Sequence, residues 1–273
     1  MFYKKNDFII ESEPKRTEVN YDELKKVSEH INNGFQDGLT EKEIEILLDW
    51  TVENTRQNLE KHIEKYTGKK SIIENDLFGL CGFGQTSSLL PFENIFKVTY
   101  NSTLDFNTSK IEYVTKELRH AFGTVEFPLK TKNGVEKKQY LIDTTFRQFF
   151  KKIMCEITEY ESDGTYVVDP GYFLCNKIRR TKESINLATQ LLKKGYIELT
   201  DENLKLYIDS FMYSSIYRTN QFLLHDMKKL DINYYRSRLR KLKPGEQEYD
   251  AGKLITDKCT IAMPYIDYNV KTR

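Results

Sequence analysis

Apolar residues recur at helical spacing in the first quarter of the chain. Leu24, Val27 and Ile31 fall on one face of residues 20–34, and Asn20 stands where it can cap such a helix. The spacing of three and four residues brings these side chains to one side of a helix. The pattern therefore predicts a short amphipathic helix here.

A second, longer helix is predicted over about 40–66. Thr40 and Glu43 have the spacing of a capping box, in which each side chain bonds the backbone N–H of the other residue. Gly68 follows where a helix can end in the left-handed conformation. The stripe that would face the core consists of Ile44, Leu47, Leu48, Thr51, Thr55, Leu59 and Ile63.

The middle of the chain has the pattern of a hairpin. Two runs rich in strand-forming residues, 118–127 and 139–146, flank the sequence Lys132-Asn133-Gly134-Val135. Asn-Gly between such runs is typical of a two-residue turn in which both turn residues have positive φ. This turn would place Asp143 opposite about Thr124, four residues from His120.

Helical spacing dominates the last third of the chain. We predict a strand at 166–168, helices over about 181–194, 201–217 and 219–242, and a strand at 260–263.

The predicted fold class is α+β. Residues 1–70 would form an arm and helices, residues 71–175 a core, and residues 176–273 a helical extension packed with the core as one unit.

Composition narrows the function classes. The chain has 273 residues, of which 39% are hydrophobic, and its formal net charge is +1. This share of hydrophobic residues is enough to form a hydrophobic core. A net charge so close to zero does not predict a nucleic-acid partner. No apolar stretch is long enough to span a membrane, and no export signal is visible at the start, so we expect a cytoplasmic protein in the producing cell.

The four cysteines form no Cys-x-x-Cys pair, which argues against a structural metal site or a redox dithiol. Cys81 differs from the others because it lies in the glycine-rich sequence Gly79-Leu80-Cys81-Gly82-Phe83-Gly84, directly before a predicted helix. The positive end of a helix and its unpaired N–H groups favour a thiolate and can bind an oxyanion. The alternative is a buried structural cysteine beside a turn.

His120 and Asp143 lie on the two predicted hairpin strands. A carboxylate after three apolar residues needs a partner, and an imidazole on the adjacent strand would supply one. Taken singly, each has an ordinary structural explanation. Together with Cys81 they supply a nucleophile, a base and a group that orients the base.

The order and context of these residues resemble the papain-like and transglutaminase-like thiol superfamily. The matching segments are Leu80-Cys81-Gly82, the strand around His120, and the run from Leu141 to Phe149, which is similar to a run found in bacterial papain-like effectors and toxins. The resemblance covers residues 75–150. It implies a helix that starts at the cysteine and packs on an antiparallel sheet.

The resemblance also implies a reaction. Cys81 would attack an amide carbonyl of a protein or peptide, His120 would move the proton, and Asp143 would orient the imidazole, with no metal or organic cofactor. Gly82, Gln85 and Gln148 are candidates for binding the oxyanion or positioning the substrate. A bacterial protein that acts on another protein, delivered by a specialised route, fits this family.

Two alternatives stay open. The same three residues serve a cysteine protease or glutamine deamidase when water is the second nucleophile, and a transglutaminase or peptide cyclase when it is an amine. A different class is a non-catalytic binding module. Residues 228–243 contain seven basic residues and one acidic residue, and Arg236, Arg238 and Arg240 could bind an acidic partner there.

Overall fold

The fold comes from a computed structural model. It describes residues 9–11, 17–68, 80–103, 120–149, 154–160, 166–168, 178–180, 182–216, 231–237, 239–246, 249 and 262–268.

The two N-terminal helices are confirmed together with their caps. The Asn20 side chain accepts the N–H of Glu23, and Thr40 and Glu43 make both bonds of the capping box. Gly68 ends the second helix in the left-handed region with φ 71°. The α-helices in the described residues are α1 (Tyr21–Asn32), α2 (Glu41–Thr67), α3 (Cys81–Leu89), α4 (Lys182–Lys194), α5 (Asp201–Ile216) and α6 (Ile232–Ser237).

The strands of the described residues form two antiparallel sheets. The central sheet has the order β8-β4-β3-β2-β9, and a second sheet has the order β1-β5-β6-β7. The α+β class is therefore confirmed. The strands are β1 (Ile9–Glu11), β2 (Lys97–Thr103), β3 (Ala121–Thr131), β4 (Gly134–Ile142), β5 (Met154–Tyr160), β6 (Tyr166–Val168), β7 (Ile178–Arg180), β8 (Tyr196–Glu198) and β9 (Leu239–Lys241).

The β3–β4 hairpin exists, but its turn differs from the prediction. Thr131 pairs with Gly134, so the loop consists of Lys132 and Asn133. Gly134 has φ 120°, whereas Asn133 is not among the described residues with positive φ. The glycine alone takes the conformation that a side chain disfavours. The pairing of β3 with β4 is therefore shifted by two residues from the predicted register.

The C-terminal prediction of a helix over 219–242 is wrong at its end. Leu239–Lys241 forms β9, which pairs with the edge strand β2, and the Leu242 N–H donates to the Tyr100 carbonyl at 2.7 Å. The open N–H and C=O groups of β2 provide partners that helical periodicity does not show. Residues 217–230 lie outside the described part of the chain. Of the strand predicted at 260–263, Ala262 and Met263 are not in a strand, and the other two lie outside.

Each face of the central sheet is covered by helices. Val125 and Phe127 point into a core shared with α1, α2 and α3, whereas Phe122 and Leu141 point into a core shared with α4 and α5. The alternation along β3 sends neighbouring side chains to opposite faces. Elements from the N-terminal, middle and C-terminal parts of the chain thus pack around one sheet.

Within the described residues, no helix has both the length and the apolar character needed to cross a bilayer.

Candidate active site

Cys81 is the first residue of α3, and its side chain is half-buried. The preceding residue, Leu80, makes no side-chain cap, and the first bond of the helix runs from the Gly84 N–H to the Leu80 carbonyl at 2.9 Å. A helix that starts in this way leaves the N–H groups of its first turn free of a capping side chain. The thiol therefore sits at the positive end of the helix.

Two residues of α3 hold the helix against the sheet. A Cβ atom on Gly84 would lie 2.7 Å from the Thr145 Cγ2 and 2.8 Å from the Thr144 Oγ1, so only glycine allows this approach to the segment after β4. The Gln85 amide nitrogen donates to the Asn101 carbonyl at 2.8 Å and to the Phe122 carbonyl. These contacts tie α3 to β2 and β3.

The long helix α2 supports α3 through buried polar contacts. The Thr51 hydroxyl donates to the Ser88 carbonyl at 2.8 Å, and the Asn58 amide lies 3.4 Å from the Ser87 hydroxyl. Closer to the start of α3, the His62 ring stacks on Phe83 with centroids 5.2 Å apart. Buried hydrogen bonds of this kind orient one helix on another more specifically than apolar packing does.

His120 directly precedes β3 and is 1% exposed. Its N–H donates to the Thr103 hydroxyl at 2.9 Å, and its carbonyl accepts the Thr103 N–H at 3.0 Å. The ring meets Phe149 edge to face, with centroids 4.8 Å apart. Backbone and ring contacts together fix the orientation of the imidazole.

Asp143 follows the last residue of β4 and accepts four hydrogen bonds. Its Oδ1 accepts the N–H of Thr145 at 3.0 Å and the Thr145 hydroxyl at 3.1 Å. Its Oδ2 accepts the Nε2–H of His120 at 2.6 Å and the Tyr207 hydroxyl at 2.9 Å. Four donors satisfy the acceptor sites of a carboxylate, which is what its burial requires.

The register of the hairpin explains why His120 and Asp143 meet. Gly123 pairs with Ile142, which places Asp143 opposite Phe122 rather than opposite Thr124. The residue opposite Asp143 is therefore two residues from His120, and not four as the sequence predicted. A diagonal neighbour on the same face lies within reach of a histidine side chain.

The thiol and the imidazole are coupled. The Cys81 sulfur is hydrogen-bonded to His120 and to the N–H of Ala121. Burial disfavours ionisation of the thiol, but the hydrogen bond and charge of His120 outweigh it and lower the pKa of Cys81. Burial also disfavours the imidazolium, but the charge and hydrogen bond of Asp143 raise the pKa of His120 to about 10. The arrangement favours a thiolate beside an imidazolium.

The structure brings together Cys81, His120 and Asp143, and it places the other candidates differently. The two hydrogens of the Gln85 amide nitrogen face strand carbonyls, so this group ties α3 to the sheet. The Gln148 amide nitrogen lies 3.2 Å from Nδ1 of His120 and donates to the Thr145 carbonyl at 3.1 Å. Gly82 is in the first turn of α3 beside the thiol.

The basic C-terminal stretch lies away from these residues in the chain and carries its own ion pairs. Arg236 is paired with Asp201 at 2.5 Å, and Arg240 with Glu246 at 3.3 Å. Arg238 lies outside the described residues. The first pair is exposed and the second is half-buried, and pairs of this kind are ordinary on a protein surface.

Sequence reasoning missed Tyr207 and Thr145. Tyr207 lies on α5, 64 residues after Asp143, and the sequence marks it only as one member of an apolar helix face. Thr145 stands two residues after Asp143, and its N–H donates to the Asp143 side chain. Aspartate side chains commonly accept the N–H two residues later in a local turn, so this contact could have been predicted from the sequence.

The described residues hold no cluster of three or more histidine, cysteine or acidic side chains that could bind a metal ion.

Comparison with models of protein families, with curated proteins and with solved structures gives no match for this chain.

Proposed function

We propose that this protein is a cysteine-dependent enzyme that acts on amide bonds of a protein or peptide, with Cys81 as nucleophile. The observation that carries the proposal is the buried chain of hydrogen bonds from the Cys81 thiol through His120 to Asp143. A nucleophile, a base and a group that orients the base, each in contact with the next, are the requirements of acyl transfer through a covalent intermediate.

The roles follow from the contacts. The Cys81 thiolate attacks the carbonyl carbon, and the carbonyl oxygen takes the negative charge. His120 holds the thiol proton on Nδ1, because its Nε2 is bonded to Asp143, and gives that proton to the leaving nitrogen as the C–N bond breaks. Asp143 fixes the tautomer and stabilises the positive imidazolium.

The oxyanion would be bound by backbone N–H groups at the start of α3. Cys81 and Gly82 supply the first N–H groups of the helix, and Leu80 offers no side-chain cap that would occupy them. Donors at a helix N-terminus are suited to a developing negative charge. Because Gln85 is bonded to strand carbonyls, we assign this role to the backbone rather than to that amide.

The acyl-enzyme is then resolved by a second nucleophile. Water gives a protease or a glutamine deamidase, and an amine gives a transglutaminase or a cyclase. We favour hydrolysis because water is always present. The proposed core is papain-like, which agrees with a cysteine that starts a helix on an antiparallel sheet and with a histidine and an aspartate at the ends of neighbouring strands.

The test is the rate at which iodoacetamide alkylates Cys81 between pH 4 and 9, read by peptide mass spectrometry. We expect fast labelling with a midpoint well below the ordinary pKa of the cysteine thiol, 9.0. His120→Ala should remove this advantage. His62→Ala is the matched control, because it removes a second histidine that packs on α3. Slow labelling of Cys81 in the wild type would contradict the proposal.

A substrate search follows the labelling test. Ammonia release from glutamine-containing proteins, peptide cleavage and amine incorporation distinguish the three outcomes of the acyl-enzyme. Each should be lost in Cys81→Ala, whose unfolding transition checks that the fold is intact.

A further inference from the structure

Tyr207 is attached to the same carboxylate oxygen as the imidazole. Its hydroxyl donates to the Asp143 Oδ2 at 2.9 Å, and this atom also accepts the Nε2–H of His120 at 2.6 Å. Tyr207 is fully buried and comes from α5, which belongs to the C-terminal part of the chain. The contact therefore connects the last third of the chain to the proposed catalytic residues.

The surroundings keep Tyr207 as a hydrogen-bond donor. Burial, and then the charge of Asp143, raise the pKa of the phenol far above its usual range, so the hydroxyl retains its proton. The ring packs against Phe122 at 5.0 Å and Phe146 at 5.9 Å between centroids. A buried tyrosine that packs against two other rings has little freedom to turn its hydroxyl away.

Two donors that share one oxygen weaken each other. The Tyr207 hydroxyl draws negative charge of Oδ2 towards itself, and this reduces the attraction of the carboxylate for the imidazolium. The other oxygen is held by Thr145, so the carboxylate cannot rotate to offer His120 a free atom. The effect is expected to be large because the site is buried and little water screens it.

Within the described residues, the titratable groups that contact His120 or Asp143 come from three elements. Cys81 faces it from the start of α3, Asp143 from the end of β4, and Tyr207 lies behind Asp143 on α5. The Gln148 amide, 3.2 Å from Nδ1, is polar but does not titrate. Phe149 covers the ring. Tyr207 is thus a donor from outside the histidine–aspartate pair that binds the same carboxylate oxygen as His120, whereas Thr145 binds the other oxygen.

We propose that Tyr207 is a positioning residue of this site. Because it shares Oδ2 with His120, it weakens the attraction between Asp143 and the imidazolium. His120 can then release its proton to the leaving group. The inference rests on the proposed function of Cys81, His120 and Asp143. It gives α5 a role in the reaction.

The competing explanation is that Tyr207 merely fills the core and satisfies a buried carboxylate. The chain offers a matched control for this. The Tyr196 hydroxyl donates to the Asp49 Oδ1 at 3.0 Å, and Tyr196 is also buried, but the pair joins β8 to α2. Tyr207→Phe and Tyr196→Phe each delete one hydroxyl–carboxylate bond and leave the ring in place.

The experiment compares the alkylation of Cys81 by iodoacetate and by iodoacetamide from pH 5 to 10.5. Both reagents form a sulfur–carbon bond and release iodide, but the anionic reagent is favoured only while His120 is positively charged. The ratio of the two rates therefore reports the charge of His120 and needs no substrate. In the wild type the ratio should fall at about pH 10, the raised pKa of His120.

In Tyr207→Phe we expect this fall to move to higher pH by about one unit, because Asp143 then attracts the imidazolium without competition. At pH 10 about nine in ten variant molecules would keep the charge, against about half of the wild type. Tyr196→Phe should behave as the wild type. A ratio in Tyr207→Phe that matches the wild type, or that falls at lower pH, would overturn the inference.

A second variant covers the case in which Tyr207→Phe does not fold. Site-specific 3-fluorotyrosine at position 207 keeps the shape of the side chain and makes the phenol a stronger donor. The fall of the ratio should then move to lower pH, and an unchanged ratio would again count against the inference.

The two proposals can fail separately. If wild-type Cys81 shows neither fast labelling nor a preference for the anionic reagent, the proposed function fails. If the wild type shows both and the Tyr207 variants do not move the ratio, only the role of Tyr207 fails.

Discussion

Two histidine–carboxylate pairs in the described part of the chain can be compared, because their surroundings differ. Nε2 of His120 lies 2.6 Å from Asp143, and Nδ1 of His30 lies 2.8 Å from Glu43. The side chains of the first pair are each 1% exposed, whereas those of the second are 29% and 21% exposed. The contact distance is nearly the same, so distance alone does not distinguish a candidate catalytic pair from a structural one.

The two pairs differ in their burial and in the group that contacts the histidine besides its carboxylate. The His30 pair closes the turn between α1 and α2, where Glu43 also completes the capping box of α2 and Asp37 binds both His30 and Lys130. Each group there has solvent nearby. The His120 pair is enclosed, and a thiol is its next neighbour. A charge in such a place acts strongly on the few groups around it.

The largest effect is expected from removing the charge of the buried carboxylate. Asp143→Asn should slow the labelling of Cys81 by iodoacetamide at pH 6 about 100-fold, because the imidazolium loses its support and the thiol returns towards ordinary ionisation. Glu43→Gln, the same change in the half-buried His30 pair, should leave the rate unchanged. Equal rates for both variants would mean that the two pairs do not differ in function.

An intermediate effect is expected in the pH dependence of stability. The folded-state pKa of Cys81 lies below its ordinary value of 9.0, so its contribution to stability is full above 9.0 and is lost as the pH falls through the folded pKa. The free energy of unfolding of the wild type minus that of Cys81→Ala should therefore rise with pH up to 9.0, by at most about 1.4 kcal/mol per unit. Urea unfolding at a series of pH values measures it, and a flat difference would show that no thiolate is stabilised.

The smallest effect is expected at the half-buried His30–Glu43 pair, and its dependence on pH has the opposite sign. The hydrogen bond to Glu43 raises the pKa of His30, so the contribution of His30 is full below its ordinary value of 6.5 and is lost as the pH rises through the folded pKa. His30→Gln should lower the free energy of unfolding at pH 6 by less than about 1 kcal/mol. Cys81 labelling should be unaffected, and slower labelling would indicate a coupling between the two sites.

Much of the local structure could be predicted from sequence because the signals act over a few residues. Asn20, the Thr40–Glu43 capping box and Gly68 mark helix ends by contacts within one turn. The hairpin was predicted as well, but its turn was not, since Gly134 can serve either as a turn residue or as the first residue of β4. Residue types alone do not distinguish these registers.

The edges of the central sheet could not be predicted. Tyr196–Glu198 is too short for an alternating pattern to be visible, and Leu239–Lys241 continues a helix-like sequence. Both become strands because β4 and β2 present unpaired backbone groups to them. That cause lies in the partner strand and not in the three residues themselves.

The sequence by itself determined which residue types are available for chemistry and where the elements that carry them begin. A cysteine in a glycine-rich turn before a helix, and a histidine and an aspartate on adjacent strands, were readable because local backbone preferences act within a few residues. Tertiary structure decided the register that lets His120 reach Asp143. It also decided the hydrogen bonds from Gln85 to two strands and from Tyr207 to the Asp143 Oδ2. These depend on packing between segments far apart in the chain, where burial turns an ordinary contact into a strongly coupled one.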